Sequence, residues 1–574
     1  MRIRSFAAAA VAALLVPVAP AFAGDPTMPL SQVQAGMQCT GRSVIQGTTI
    51  STFEATVLDV AAGEAAGIGN ILVQVSGPAV DATGVGPGFS GSPIYCADAA
   101  GTQRVIGAIS QSVNEYGGKI ALATSIDAIL GTPVDTPKRP ASARMKAAIA
   151  SAKPIAAPLS VSGLNAPLAK ALTKAAAKAG RAVLAVPAGP LGFFPPQTLQ
   201  PGSAVAVGYS NGDVRTSATG TVAYVDGDRV WIFGHELEGN GRRALLLQDA
   251  YVYRIINNPL QIGAIASTYK LAASGHDLGT ISNDGFSAVA GRTGVFPHTV
   301  PIQVIADDED AKRRNVVNTG AADEAAVDLP SGGSWTSAVA PLAVSQAASS
   351  VLGSVPGRLT GEMCARITVT EIKKPLRFCN RYVSASGGQS EDGGSSNAVL
   401  SGAANDLGSA LSAIDAYTGK APNVAGVNVM LKVHRGTDQA FIRSISLPAR
   451  VRAGQKVKVK VALQVVRGAK LNRTYSMTIP RDTRSGRQTL RLVGQDADQG
   501  ADAFTTIILG EDEEENEGGD PGPSSLDELA AEVRATERFD GVSLRIGRVR
   551  GEAFRDDEYR ISGQAETSVR VSRG

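Results

Sequence analysis

A glycine- and serine-rich stretch, residues 86–95 (GPGFSGSPIY), has the residue types of a nucleophile turn. A serine hydroxyl that attacks a carbonyl creates a negative oxygen, which two aimed backbone N–H groups stabilise. In a G-x-S-G-S-P turn these donors are the N–H groups of Ser90 itself and of Gly88, two positions earlier. The other serine-hydrolase pattern, G-x-S-x-G, fails because Ser92 replaces its second glycine. A surface turn without chemistry is the alternative, but the whole stretch between two strand-like segments favours a catalytic serine.

Ser90 needs a base, because a serine hydroxyl is a poor nucleophile unless a neighbouring group accepts its proton. Residues 24–135 contain no histidine, so the base must come from another region. His235 is the best candidate, because it follows the strand-like segment 229–233 and one glycine, and a rigid strand end would present it. Taken alone, His235 would be a strand-end histidine with local hydrogen bonds. Structural roles are expected for the other histidines, His276, His298 and His434.

The acidic third member of a triad is less well defined. Asp249 and Asp284 both lie in the same region as His235, and Asp284 is preferred because it falls in a turn between two predicted strands. A Ser–His dyad without an acid is also consistent with the sequence.

The elements that position these residues are predicted to be mostly β-strands. Glycine punctuates short Val/Ile/Thr runs, and aromatic residues are few. At 574 residues the chain is too long for one core, so about three or four domains are expected. The net charge of +3 is small and spread out, and it gives no reason to propose a nucleic-acid partner.

Composition shifts along the chain predict its division into segments. The serine half is predicted at 24–135 and the histidine half at 200–306, each as a β-barrel half. The remaining segments are a signal peptide at 1–23, an Ala/Pro/Lys-rich linker and helix at 136–199, a polar linker or excursion at 307–345, a β-rich, sandwich-like domain at 346–509, an acidic linker at 510–524 and a small C-terminal element at 525–574.

The N-terminus predicts export. A basic start, an apolar alanine-rich core and an A-x-A site at 21–23 form a secretory signal peptide, not a membrane span. No later stretch approaches the roughly 18 apolar residues that cross a bilayer, so no integral membrane segment is expected. The protein is predicted to be secreted or held at the cell surface.

The four cysteines agree with an oxidising compartment. Four cysteines allow three connectivities. Proximity in sequence favours Cys39–Cys96 and Cys364–Cys379, the second pair flanking a plausible hairpin turn at 372–375. Metal binding is the weaker alternative, because there is no close C-x-x-C pair and histidine is scarce. No cofactor is expected.

The chain resembles the SpoIVB serine peptidase family, and more closely its secreted actinobacterial members, over roughly residues 28–306. The resemblance rests on the G-x-S-G-S-P motif, on the Gly-His motif at 234–235, and on shorter matches at 28–30, 36–37, 41, 47, 53, 70–73 and 220–222. It implies that Ser90 and His235 act as nucleophile and base, and that the fold is a trypsin-like pair of β-barrels. Because the serine comes first here, the two halves are predicted to be exchanged along the chain.

Two departures separate this chain from the family pattern. Many relatives have methionine where Phe89 stands, a tolerable change because that side chain does not react. Many secreted relatives follow Gly-His with Pro-Phe, whereas Glu236 and Leu237 stand here. The Glu236 carboxylate could raise the pKa of His235, or it could mark a degenerate site.

The sequence therefore predicts a secreted serine endopeptidase that acts on a protein or peptide substrate. The alternative is a non-catalytic adhesion or binding protein of the cell envelope on the same scaffold. In trypsin-like enzymes the residue about six positions before the nucleophile lines the floor of the specificity pocket. That position is Gly84, which is uncharged and predicts a preference for small or apolar side chains.

Overall fold

The fold is that of a computed structural model. It describes residues 24–61, 70–113, 117–135, 159–178, 182–186, 194–257, 268–325, 333–353, 357–384, 398–494, 522–537, 540–547 and 549–573. The predicted signal peptide, most of the predicted linker before residue 159, and the acidic run at 511–517 lie outside the described residues.

The first barrel contains the serine turn. Its strands are β1 (Gln38–Gln46), β2 (Thr49–Ala61), β3 (Asn70–Ser76), β4 (Pro93–Ala97), β5 (Gln103–Ser112) and β6 (Ile120–Ser125). They close in the order β1-β2-β3-β6-β5-β4. Alternate residues such as Phe53, Ala55 and Val57 of β2 are buried in its core, as the period of two in a strand requires. The short helix α1 (Ile126–Leu130) follows β6, and the Ser125 side chain caps it.

The second barrel contains the predicted base. After β7 (Leu159–Ser162), helix α2 (Ala166–Lys178) and β8 (Val183–Val186), the next strands are β9 (Ala204–Gly208), β10 (Ser210–Gly212), β11 (Arg215–Asp226), β12 (Arg229–Ile232), β13 (Gly241–Ile256), β14 (Tyr269–Gly285) and β15 (Ala288–Thr293). Pairing of β11 with β12 closes a ring of six strands, and β7 and β8 extend the sheet beyond β11. The prediction of a mostly β protein with two barrels, the serine barrel first, is confirmed.

A mixed α/β unit follows, and it replaces the polar linker predicted at 307–345. Its sheet has the order β10-β17-β16-β20-β18-β19. The elements that build it are β16 (Thr299–Asp308), β17 (Arg313–Ala322), α3 (Trp335–Leu352), β18 (Leu359–Val369), β19 (Leu376–Ser384), α4 (Ala398–Asp415) and β20 (Val424–Arg435). Helix α3 is composed mainly of small residues and is buried on nearly all sides, so it lacks the one-sided apolar pattern that identifies a helix in sequence.

The last unit is a β-sandwich that needs the C-terminus of the chain. One sheet has the order β24-β23-β21-β28 and the other β22-β29-β25-β26-β27, over a common core. Its strands are β21 (Gln439–Ser446), β22 (Arg450–Arg452), β23 (Lys456–Val465), β24 (Lys470–Thr478), β25 (Gly486–Gly494), β26 (Val542–Ile546), β27 (Val549–Phe554), β28 (Arg560–Ser562) and β29 (Gln564–Ser572). The sandwich thus begins later than predicted and includes the supposed small C-terminal element. Helix α5 (Leu526–Ala535), capped by Ser525, precedes those strands and packs with the α/β unit.

Both predicted disulfides are confirmed. Cys39 on β1 stands opposite Cys96 on β4, and Cys364 on β18 stands opposite Cys379 on β19. The first bond joins the opening strand of the barrel to the strand that follows the serine turn. Among the helices that the structure describes, none has the length and apolarity needed to cross a membrane.

Removal of each disulfide is expected to destabilise the unit that holds it. Cys39–Cys96 closes a loop of 57 residues and Cys364–Cys379 one of 15. A longer loop loses more unfolded-state entropy, so double alanine substitution should cost about 4 kcal/mol at the first bond and about 3 kcal/mol at the second. Denaturant titration of the full chain, resolving the separate transitions, measures both values. A larger loss from the shorter loop would contradict this ranking.

Candidate active site

Ser90 lies in the turn between β3 and β4, where the two barrels meet. Its carbonyl accepts a hydrogen bond of 2.9 Å from the N–H of Thr221 on β11 of the second barrel. Gly91 adopts a φ of +91°, and a Cβ there would lie 1.9 Å from the Thr221 carbonyl oxygen. Gly88 has the same φ. Only glycine adopts such angles without strain, so the two glycines fix the shape of the turn around the half-buried Ser90.

From Gly88 to Gly91, backbone N–H groups that donate a hydrogen bond alternate with N–H groups that have no acceptor among the described residues. Phe89 N–H donates to the Gly86 carbonyl at 2.9 Å, and Gly91 N–H donates to the Ile109 carbonyl at 2.6 Å. The hydrogen bonds among the described residues include none from the N–H of Gly88 or from that of Ser90. Both donors that the sequence predicts for an oxyanion hole therefore have no acceptor among the described residues.

His235 follows a sharp backbone turn at the end of β12. Phe233 and Gly234 have φ values of +68° and +71°, and a bulky residue at positive φ is an uncommon, strained conformation. The Gly234 carbonyl accepts a 2.6 Å hydrogen bond from Thr124 Oγ1 of the first barrel. This turn contacts the first barrel through Gly234, and His235, which follows it, is 4% exposed.

The hydrogen bond to the His235 ring selects its tautomer. Nδ1 contacts the carbonyl oxygen of Glu236. A carbonyl only accepts, so Nδ1 carries the proton and Nε2 presents a lone pair. Burial lowers the pKa of His235, although the Glu236 carbonyl and carboxylate oppose this shift. Glu236 therefore acts on this pKa in the expected direction, but burial outweighs its contribution and the net pKa is lowered. His235 is thus held in the form that can accept a proton.

Ser90 and Phe233, the second residue before His235, both contact one dipeptide, Gly220–Thr221. The Thr221 N–H donates to the Ser90 carbonyl at 2.9 Å, and the Thr221 carbonyl accepts from the Phe233 N–H at 3.2 Å. A Cβ on Gly220 would lie 2.4 Å from the Phe233 ring and 3.1 Å from the Ser90 carbonyl oxygen. The hydrogen bonds of the described residues do not include one between Ser90 Oγ and His235. A direct Ser–His contact therefore stays a prediction.

Asp284 lies beneath the segment that follows His235. Its carboxylate accepts hydrogen bonds from the backbone N–H of Leu237 at 2.7 Å and of Glu238 at 2.8 Å, and it lies 3.7 Å from the Arg243 guanidinium. The position that a triad acid would occupy, against His235 Nδ1, is taken by the Glu236 carbonyl. Asp284 therefore supports the loop and is not the hydrogen-bond partner of His235 Nδ1.

The other three histidines each contact an aspartate through a ring nitrogen. The pairs are His276–Asp249 at 3.1 Å, His298–Asp323 at 2.8 Å and His434–Asp438 at 2.9 Å. The second acid candidate, Asp249, is therefore committed to His276. His276 lies six residues after Lys270 on β14, about 20 Å along an extended strand. Since Lys270 N–H contacts the serine turn at the Pro87 carbonyl, His276 is too distant to serve Ser90.

Gly84, the predicted floor of the specificity pocket, packs against the backbone of two other glycines. Its φ is +68°, and a Cβ there would lie 2.0 Å from the Gly117 carbonyl oxygen and 2.6 Å from that of Gly118. The position cannot accept a side chain without moving the backbone, so it presents no charge.

Lys270 is the site residue that sequence reasoning missed. It is 2% exposed and lies beside the serine turn, where a Cβ on Gly88 would come within 2.8 Å of its side chain. Lysine is almost never fully buried, and the pattern of β14 gives no signal that this one is. Ser43 and Thr221 contact its ammonium. Ser43 stands in a strand segment without a motif, and Thr221 falls in the short match at 220–222, which assigns it no role.

Comparison of the chain with protein-family models, with curated proteins and with solved structures found no match.

Proposed function

We propose that this protein is a serine endopeptidase in which Ser90 is the nucleophile and His235 the general base. The observation that carries the proposal is that the N–H groups of Gly88 and Ser90 have no acceptor among the described residues, whereas the N–H of Phe89 between them is bonded. Two such donors are what a developing oxyanion requires. The neutral His235, with its Nε2 lone pair, supports the assignment of the base.

The proposed reaction begins when Ser90 Oγ attacks the scissile carbonyl carbon and its proton passes to His235 Nε2. The carbonyl oxygen becomes negative and accepts hydrogen bonds from the N–H groups of Gly88 and Ser90. His235 then gives its proton to the leaving amine, and the C–N bond breaks to leave an acyl-enzyme. Water attacks the ester by the reverse proton path, which restores the Ser90 hydroxyl.

The proposed setting is outside the cytoplasm, with a protein or peptide as substrate. Two disulfides support this setting, because such bonds persist in oxidising compartments. The likeness of the motifs to SpoIVB-type peptidases supports a peptide bond as the target. No feature of the described residues argues for nucleic acid.

Labelling with a fluorophosphonate probe tests the proposal directly. The probe forms a covalent bond with an activated serine, so the wild-type protein should be labelled and Ser90→Ala should not. Labelling of both proteins at the same rate would place the reactive serine elsewhere. A folded wild-type protein that resists the probe would favour the non-catalytic adhesion or binding function.

The proposed enzyme is expected to cleave after small or apolar residues. The backbone at Gly84, Gly117 and Gly118 offers no carboxylate, and a buried cationic side chain is expensive to desolvate without a partner. Sequencing the fragments of a denatured proteome measures the preference. A strong majority of cuts after Arg or Lys would refute it. Gly84→Asp is no useful variant here, because its Cβ would displace the neighbouring backbone.

A further inference from the structure

The Lys270 ammonium is buried at the barrel junction among hydroxyl groups. Nζ lies 2.7 Å from Ser43 Oγ on β1 and 3.1 Å from Thr221 Oγ1 on β11. It also lies 4.6 Å from the centroid of the Phe89 ring. An ammonium has three N–H donors and no acceptor, and the two hydroxyls and the ring face match these three donors.

Each hydroxyl connects the ammonium to the serine turn through a chain of hydrogen bonds. Thr221 Oγ1 accepts from Lys270 and donates to the Gly88 carbonyl at 3.0 Å. Ser43 Oγ accepts from Lys270 and lies 2.8 Å from Ser92 Oγ, which itself donates to the Phe89 carbonyl at 2.6 Å. Since the Ser92 proton is used there, Ser43 is the donor in the bond between the two serines. Two directed chains thus run from Lys270 to the turn.

The Phe89 carbonyl, which the Ser43–Ser92 chain holds, controls one oxyanion donor directly. The Gly88 carbonyl, which Thr221 holds, belongs to the peptide between the two donors, whose N–H is that of Phe89. The Phe89 carbonyl and the Ser90 N–H belong to one planar trans peptide, so fixing the carbonyl points the N–H in the opposite direction. The Pro87 carbonyl and the Gly88 N–H form another such peptide. There the Pro87 carbonyl accepts a 3.0 Å hydrogen bond from the backbone N–H of Lys270. Lys270 therefore anchors both oxyanion peptides, one by its backbone and one through its ammonium.

We propose that Lys270 is a positioning residue that orients the oxyanion-hole N–H groups of Gly88 and Ser90, acting through Ser43, Ser92 and Thr221. The proposal rests on the function proposed for Ser90, and it names what the barrel junction contributes to that site. The three hydroxyl residues are 0% exposed, so substrate does not contact them and their effect is exerted through the turn.

If Lys270 positions the turn, its protonation state should affect the pH dependence of turnover. Burial lowers its pKa to about 7, and no charged group among the described residues contributes to the shift. Hydroxyls face it from β1 and β11, and the Phe89 ring faces it from the turn. The nearest charge on β1, Arg42, stacks on the Tyr95 ring instead. Above this pKa the amine loses its charge and one donor, so turnover should fall as the pH rises through about 7.

Replacing Lys270 with methionine, which has a similar length and no donor, tests the proposal. We expect kcat to fall by about 100- to 1,000-fold with KM little changed, the loss typical of one oxyanion donor. The alkaline fall in the pH profile of the wild type should be absent from the residual activity. A purely structural lysine would alter stability without changing the shape of the profile. Wild-type kcat and an unchanged alkaline limb in K270M would overturn the proposal.

Milder variants keep the proposal testable if K270M does not fold. Thr221→Val and Ser92→Ala each interrupt one chain, and each should lower kcat. Thr216→Val is the matched control, because Thr216 is a buried threonine on the same strand whose hydroxyl bonds Ser210 and not the turn. An equal effect of T221V and T216V would contradict the proposal.

A second measurement separates this inference from the proposed function. Amide NMR signals of Gly88 and Ser90, in protein labelled with ¹⁵N-glycine and ¹⁵N-serine, report the orientation of these groups without any turnover. They should shift as the pH passes the pKa of Lys270 in the wild type, but not in K270M. If the wild type resists the fluorophosphonate probe while these shifts are seen, the function fails and the positioning role stands. If the wild type is labelled but the shifts are absent, the proposed function stands and the positioning role of Lys270 fails.

Discussion

Replacing Ser90 with alanine is expected to reduce peptide hydrolysis by up to about a million-fold. The substitution removes the only atom that can form the acyl bond, while the donors at Gly88 and Ser90 remain. Residual activity should then reflect binding and oxyanion stabilisation alone. The melting temperature should change little, because the described hydrogen bonds of Ser90 involve its backbone and not its hydroxyl.

Initial rates on a fluorogenic peptide, measured with the wild type and S90A at equal concentration, check this prediction. Ser112→Ala, at an exposed position near the end of β5, is the control for loss of a serine hydroxyl outside the turn. S112A should keep wild-type activity. Equal turnover by S90A and the wild type would falsify the assignment of the nucleophile.

Replacing His235 with glutamine is expected to cause a loss nearly as large as that of S90A, because residues that act as a unit are not additive. The S90A/H235Q double variant should therefore be hardly slower than either single variant. Since burial lowers the pKa of His235 from 6.5, the base is neutral above that lowered value. The wild-type kcat/KM should accordingly rise with pH through a midpoint below 6.5, as acidification protonates the base.

The acid limb of the pH–rate profile distinguishes a base from a structural histidine. It should be absent from the residual activity of H235Q. His276→Gln and His298→Gln serve as matched controls, because both rings pair with aspartates away from Ser90, and both variants should keep the limb and most of the rate. An unchanged acid limb in H235Q would show that another group accepts the proton.

Several features could be predicted from the sequence because they depend on neighbouring residues. The alternation of β23 appears directly in its valines and lysines. The Asp226–Arg229 hairpin and the cap of α5 follow from local turn and capping chemistry. The oxyanion turn belongs to the same class, because its glycines permit the positive φ values that its shape needs. Both disulfides join strands close in sequence or adjacent in one barrel.

Other features were decided only when distant segments came together. Helix α3 consists mainly of small residues without a one-sided apolar pattern, and its burial depends on the sheet beneath it. The role of Asp284 depends on the loop from 237 to 240 folding over it, and the state of His235 depends on how completely it is buried. Lys270 is separated from Ser43 by 227 positions in the chain. The sequence identifies which groups can react. Their burial and orientation are decided by the packing of the two barrels, because both depend on contacts between residues that are far apart in the chain.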